Sequence, residues 1–242
     1  MKADKCTRIC LWSGPRNIST AFMYSFAQRS DTVVYDEPLY AYYLSHSPAQ
    51  EYHPGAEEVL ASQPQQGQEV VDMMLGPQPK PVAFFKHMTH HLLNLDRGFM
   101  QHMKHILLTR DPLDMLPSFA KVIGQPQMQD VGYAAQLELL NYLKIIGQPP
   151  VVIDSKKLLQ DPKGMLNKLC QFLEIPFEES MLSWEAGARP EDGVWAPYWY
   201  ANVHKSTGFG QYQPKTEAFP EQLKPLLEEA QPYYEQLMKM SL

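Results

Sequence analysis

Two short stretches of this chain carry residues suited to gripping an anion, and two more carry candidate proton acceptors. The first reads Ser13-Gly14-Pro15-Arg16-Asn17-Ile18-Ser19-Thr20. An apolar run ends there, Gly and Pro turn the chain, and hydroxyl residues open a helical pattern. The first N–H groups of a helix have no intrahelical partner and carry partial positive charge, so they favour a negative ligand. Arg16 adds a full charge; Ser19 and Thr20 add hydroxyl donors. The plainer alternative is a strand–turn–helix with a capping serine. The second stretch is Arg110-Asp111-Pro112, with Ser118 eight residues after the arginine. Pro112 suits a first helical turn and Asp111 its cap. A helix from Pro112 to Ser118 rises roughly 9 Å, which lets Arg110 and Ser118 share one phosphate-sized anion. Alone, the tripeptide also reads as a helix cap with a surface ion pair.

The candidate bases are Glu37, in Tyr35-Asp36-Glu37-Pro38, and the cluster Lys86-His87-Met88-Thr89-His90-His91. A carboxylate or imidazole within about 2.6–3.2 Å of a reacting hydroxyl can take its proton. Against that, Glu37 or Asp36 pairs with Arg16 or caps a helix, and strand-exit histidines more often cap or face water. Neither the histidines nor Cys6 and Cys10 have partners at zinc-like spacing, so no metal site is expected.

These residues need a scaffold to bring them together. Arg8–Trp12, Thr32–Tyr35, Val82–Lys86, His105–Thr109 and Pro150–Asp154 are short runs rich in Val, Ile, Leu and Phe, without polar alternation. Strands buried on both faces of a parallel sheet read this way. Between them, helical spacing is expected over Ser19–Gln28, Gln68–Leu75, Tyr133–Ile146 and Lys163–Leu173. In the second last of these, Leu137, Leu140 and Lys144 share one face. Pro220–Met240 reads as a last helix, kinked or restarted at Pro225 or Pro232. Strands alternating with helices predict an α/β fold with both sheet faces covered. Ser45–Gln66, with a short helix near Ala56–Ala61, and the Trp- and Tyr-rich Trp184–Lys215 are long connections. Such connections often form lids or binding loops, and the aromatic one is placed to wall an acceptor pocket.

Composition narrows the classes of function. The 242 residues hold 21 Lys+Arg against 27 Asp+Glu, a net charge of −6. Nucleic-acid binding is not expected, because neutralising a phosphate backbone takes clustered excess cations. No run approaches the length of a membrane span, and the N-terminus MKADKCTRICLW lacks a signal peptide's apolar core. Three cysteines are too few and too odd in number for a disulfide framework, which fits the cytoplasm. The 21 prolines predict many defined turns. Oligomeric state leaves no trace in the sequence.

The first loop is not a Walker A motif. Ser19 stands at its second glycine and Thr20 at its lysine, and no magnesium carboxylate is evident. A kinase-like nucleoside-triphosphate enzyme is therefore disfavoured.

Taken together, the Pro15-Arg16 loop after the first strand and the Arg-Asp-Pro exit with Ser118 resemble the sulfotransferase superfamily. That family has a P-loop-type fold and uses 3′-phosphoadenosine 5′-phosphosulfate. Gly14, Pro15, Arg16, Asn17, Ile18, Ser19 and Thr20 resemble its 5′-phosphosulfate loop, with Arg16 in place of the usual lysine and Ile18 in place of a glycine. Arg110 and Ser118 match its 3′-phosphate clamp. Val152–Pro176 is similar to the family's strand, Asp-Pro turn and Phe-Leu-x-Ile-Pro helix end. Lys205, Ser206, Thr207 and Gly208 resemble the basic loop that closes over the nucleotide. Several branches carry a glutamate base where Glu37 stands; the cytosolic branch has Lys-Thr-His where Lys86 is followed by His87 and Met88, leaving His87, His90 or His91 to substitute.

The resemblance is greatest to a bacterial-type branch, a module also similar to one fused to aminotransferase-like domains in plants. It implies one three-layer domain over residues 1–242, with about five parallel strands. It implies metal-independent, in-line sulfuryl transfer to a hydroxyl or amine of a small acceptor. A protein of the same fold that binds a nucleotide or phosphorylated metabolite without transfer is the alternative. Pro117, just before Ser118, is expected to kink its helix and shift that hydroxyl.

Overall fold

The computed structural model describes residues 6–242. The residues before Cys6, which include part of the stretch read as lacking a signal peptide, lie outside them.

Strands β1 (Thr7–Ser13), β2 (Thr32–Asp36), β3 (Val82–Met88), β4 (Lys104–Thr109) and β5 (Val151–Asp154) form one all-parallel sheet in the order β2-β3-β1-β4-β5. Successive side chains of a strand point to opposite faces, and here both faces are apolar. Ile9, Leu11, Phe84, Ile106, Leu108 and Ile153 pack beneath the helices Ser19–Ala27 and Pro162–Phe172. Cys10, Trp12, Phe85, Leu107 and Val152 pack beneath Gly67–Leu75, Tyr133–Ile145 and the last helix, which contributes Leu237. The result is three layers, helix–sheet–helix, as the unalternated apolar runs predict.

The connection after β1 leaves toward β2 and the one after β4 toward β5, so their carboxyl ends diverge. A crevice opens at such a point in a parallel sheet, and the Pro15-Arg16 loop and Arg110 flank it.

Several expected elements differ in detail. The buried stripe of Tyr133–Ile145 is Tyr133, Gln136, Leu139, Leu140 and Leu143, while Lys144 faces solvent. Gln136 belongs there because its amide donates to the Leu108 carbonyl at 2.8 Å. The last helix starts at Lys224, with Pro225 in a first turn that needs no N–H. It runs on through Pro232 instead of restarting there. Ser45–Gln66 contains a 3-10 turn, Pro48–Glu51, besides the helix Ala56–Ser62. A helix the sequence did not announce, Tyr40–Ser45, follows β2. Among the described residues no helix is long and apolar enough to cross a membrane.

Gly14 ties two of these parts together. A side chain on it would place Cβ 2.8 Å from the carbonyl oxygen of Val131, which ends the short helix Met128–Val131 before Tyr133. Gly14→Ala therefore forces the loop and the end of that helix apart. Thermal or urea unfolding should show a loss of about 1–3 kcal/mol; an unchanged midpoint would show that the contact is not needed.

Candidate active site

The crevice deepens into a cleft of about 690 Å³. Of the expected residues, Pro15, Arg16, Asn17, Ile18, Ser19, Thr20, Glu37, Lys86, His90, Arg110, Ser118, Ser206 and Gly208 line it. Gly14, His87, Lys205 and Thr207 do not. Gly14 is buried, and Lys205 and Thr207 are exposed. The Thr207 carbonyl instead receives the Trp184 N–H at 3.1 Å, and Gly208 bridges to Ser183.

The first loop is anchored at both ends. Asn17 is buried, and its amide donates to the Leu108 carbonyl on β4 at 2.6 Å. Arg110 donates from Nη1 to the Arg16 carbonyl at 2.8 Å, and the Arg110 carbonyl accepts from Tyr133 Oη. Ile18 is the N-cap of the Ser19–Ala27 helix, with no side-chain cap and no acidic residue in the first turn. The capping-serine alternative is thus not what forms, and no side chain covers the free N–H groups of that turn. Arg16 and Ile18 both take left-handed backbone angles, φ 52° and 48°. For a β-branched residue this is strained, which explains why a glycine suits position 18 in the resembling loop.

The second clamp sits on the same cleft. Asp111 caps the helix Pro112–Phe119, accepting from the Leu113 N–H at 2.9 Å. The helix continues through Pro117, and Ser118 lines the cleft. Ser118 Oγ accepts from Arg16 Nε at 3.1 Å, and Arg16 Nη1 reaches the Trp199 carbonyl at 3.2 Å. The Arg16 side chain thus spans from its own loop to the residue expected at the far end of the ligand. Burial lowers the Arg16 pKa, and Arg110 nearby lowers it further. Two residues unmarked in the sequence, Lys121 and Lys215, line this end too; burial and the charge of Arg110 lower the Lys215 pKa, Asp114 and Glu217 opposing and Lys121 adding to the fall. Neither carries a motif, since both act through tertiary proximity. Among the described residues, none of these four cations has a carboxylate within ion-pair distance. A fixed cluster of like charges with helix N–H groups alongside is suited to a polyanion.

Toward the exits of β2 and β3 the chemistry changes. Register places Asp36 opposite Lys86. Lys86 is wholly buried, and its Nζ donates to Asp36 Oδ1 at 2.8 Å, Glu37 Oε1 at 2.5 Å and Tyr200 Oη at 2.7 Å. Tyr200 Oη donates in turn to Asp36 Oδ2 at 2.7 Å and accepts from Trp195 Nε1. The acidic pair therefore binds Lys86, not Arg16. Burial pulls the lysine down, but Asp36 and Glu37 outweigh it and hold its pKa above the ordinary value. Burial pushes the Glu37 carboxyl up; Lys86 opposes this without cancelling it, and Asp36 adds to the rise. Glu37 also has left-handed angles, φ 42°, set by its N–H on the Lys86 carbonyl at 2.8 Å. A cleft-facing carboxylate with a raised pKa beside a fixed ammonium is suited to accept a proton.

The histidines divide. His87 stacks on Trp12 at 4.4 Å within the sheet's other face and is fully buried there, so it is not a base for this cleft. His90 and His91 do line it, with His53 from the polar connection. His91 lies between Tyr40 and Tyr43, at 4.9 and 4.5 Å. The aromatic connection supplies Trp195, Trp199 and Tyr200 to the cleft wall, while Trp184 packs into the core. Tyr40, His53 and Tyr200 escape a motif search; only the density of aromatic and His residues in those connections hints at them.

The sequence from residue 7 to 241 matches the model of a protein family described as "Sulfotransferase domain". Two Arabidopsis thaliana proteins, "Branched-chain-amino-acid aminotransferase-like protein 2" and "Branched-chain-amino-acid aminotransferase-like protein 1", are each 44% identical over 225 residues. The match covers 92% of this chain and 40% of each relative, so the chain spans well under half of their length. Among solved structures, a sulfotransferase domain from the curacin biosynthetic pathway superposes with a TM-score of 0.55 at 17% identity, covering 96% of this chain and 98% of that one. The sulfotransferase domain of the Synechococcus PCC 7002 olefin synthase gives 0.56 at 15% identity, covering 93% and 94%. A sulfotransferase from Alicyclobacillus acidocaldarius gives 0.56 at 12%, covering 96% of each chain. At these identities the superpositions speak for the fold.

The buried histidines make stability fall in acid. Burial lowers His53 and His105 to about 4 and His87 and His90 to about 3, with His91 well below its ordinary value of 6.5. Below pH 6.5 the unfolded chain binds protons that the folded chain refuses. Each such group costs up to about 1.4 kcal/mol per pH unit through that window. Glu37 and Asp111 act in the opposite sense, because their raised pKa values let the folded state take a proton first, but they are two groups against five. The urea midpoint should therefore drop steadily from pH 7 to pH 5; a flat or rising midpoint would contradict the burial of these rings.

Proposed function

The chain belongs to the sulfotransferase domain family, and from that premise we propose that it transfers a sulfuryl group from 3′-phosphoadenosine 5′-phosphosulfate to a hydroxyl or amine of a small acceptor. The observation that carries this reading is the arrangement of a single cleft, with the Arg16–Arg110 cations at one end and the Glu37–Lys86 pair at the other.

The residues present fit the donor. Arg16, Ser19, Thr20 and the uncapped first turn would hold the phosphosulfate. Arg110 and Ser118 would hold the 3′-phosphate, with Lys215 in the place the sequence assigned to Lys205. The donor, once bound, supplies an electrophilic sulfur whose bond to the phosphate oxygen breaks as the acceptor oxygen or nitrogen attacks. Negative charge grows on that leaving oxygen, and Arg16 and the helix N–H groups stabilise it. Glu37 takes the acceptor proton. Lys86 keeps the Glu37 carboxylate in place, and Asp36 and Tyr200 keep Lys86 in place. Trp199 and Tyr200 join the aromatic connection to both ends of the cleft, which holds these groups in alignment. No step in this scheme calls for a metal ion. We place the protein in the reducing cytoplasm on its cysteine usage.

Thermal unfolding with adenosine 3′,5′-bisphosphate tests the donor site. At 100 times its dissociation constant the ligand should add about 2.7 kcal/mol. ATP with magnesium should add nothing comparable, and Arg110→Ala should abolish the response. Stabilisation by ATP–magnesium alone would instead favour a kinase-like enzyme. Labelled-sulfate transfer to an acceptor panel separates an enzyme from a nucleotide-binding protein. In that assay Glu37→Gln should lower turnover about 10²–10⁴-fold while the bisphosphate response persists; undiminished turnover would move the base to His90 or His91.

A further inference from the structure

We propose that His90, His91, His53 and Tyr40 form the acceptor subsite, and that the acceptor is an uncharged hydroxyl compound with a flat apolar body. Neither an ammonium nor a carboxylate suits this end of the cleft. The inference rests on the sulfuryl-transfer reading and narrows its acceptor.

Three features of this end lead there. The first is that the nearest cation is already spent. An ammonium has three donors, and Lys86 uses them on Asp36, Glu37 and Tyr200. An anionic acceptor would find no free donor on Lys86 and would face the Glu37 carboxylate. A cationic acceptor would sit beside an ammonium only 2.5 Å from Glu37 Oε1. It would also bring a nitrogen with no lone pair to attack with. A carboxylate already bound to Lys86 is a poor base for an alkylammonium, whose pKa is near 10.

The second feature is that the imidazoles are neutral and free. Among the described residues no hydrogen bond engages either ring nitrogen of His90 or His91, although both rings line the cleft and His91 is 1% exposed. Buried polar atoms without a partner are uncommon. A neutral imidazole offers one donor and one acceptor, the complement of a hydroxyl group. Burial keeps these rings, and His53, uncharged at neutral pH, so they add no attraction for an anion. His53 already meets Tyr40 Oη through Nδ1 at 2.8 Å.

The third feature is the shape of the wall. Tyr40 stacks on His91 and meets Trp195 edge-on at 5.2 Å, and Trp199 closes the side toward Phe119 at 6.3 Å. Ring faces and edges at these separations favour a flat apolar body.

Benzyl alcohol, benzylamine and benzoate have nearly the same size and shape but differ in charge at pH 7. Each is added to the wild-type protein saturated with adenosine 3′,5′-bisphosphate, and the further rise in unfolding temperature is titrated. The nucleotide's own stabilisation, read first in the same samples, reports separately on the donor site and on the parent reading. Benzyl alcohol should bind at least about ten-fold more tightly than either charged analogue. His91→Phe, which keeps the stacking between Tyr40 and Tyr43 but has no ring nitrogen, should lose most of that preference and keep the nucleotide response. Equal binding of all three, preference for a charged analogue, or binding of none would each overturn the inference. The wild-type titration decides it even if the variant does not fold.

Discussion

A lysine with no solvent exposure, held between two carboxylates and a phenol, is the constraint around which this site is organised. Burying Lys86 alone would carry a large desolvation penalty, and removing both carboxylates would leave an uncompensated charge. Asp36, Glu37 and Tyr200 make the burial tolerable, but only because β2 and β3 end in register and the Trp- and Tyr-bearing connection folds back over them. Burial of the same cluster raises the Glu37 pKa on the cleft wall, and the contact with Lys86 does not cancel it. One electrostatic requirement thus links the sheet register, the covering connection and the base.

The opposite end works by leaving charge unpaired. Burial and the nearby Arg110 lower the Arg16 pKa, neither arginine finds a carboxylate among the described residues, and Lys121 and Lys215 join them. Such a cluster is unfavourable in the empty protein and is relieved by a polyanion, so cohesion here is traded for affinity. The strained backbone angles follow the same distribution. Arg16, Ile18 and Glu37, three of the five non-glycine residues with positive φ among those described, all lie on this cleft. Strain of about 1–3 kcal/mol per residue persists only where the surroundings hold it, and here Asn17, Arg110 and the Lys86 carbonyl do so.

Much of this was legible in the chain. Five apolar runs gave five strands, because buried parallel strands need no polar face. The loop after β1 and the Arg110–Ser118 pair lie on one cleft, as their spacing and the family resemblance imply. Less legible was the use of each histidine. His87 and His90 are three residues apart, yet one stacks on Trp12 beyond the cleft and the other lines it: strand alternation turns His87 to the face opposite Lys86, and His90 sits in the 3-10 turn that follows at Thr89. Lys205 looked like the nucleotide-closing cation, but Lys215 reaches the cleft instead.

The sequence by itself determined the layer order, the strand exits and the anion-binding character of the first loop, because each rests on neighbours within a few residues and on short periodicities. Only the tertiary structure decided that Arg16 meets Trp199 across 183 residues and that Lys86 meets Tyr200 across 114. Contacts between such distant positions leave no periodic mark in a chain. They form when the buried charges and aromatic rings of separate segments have to satisfy one another.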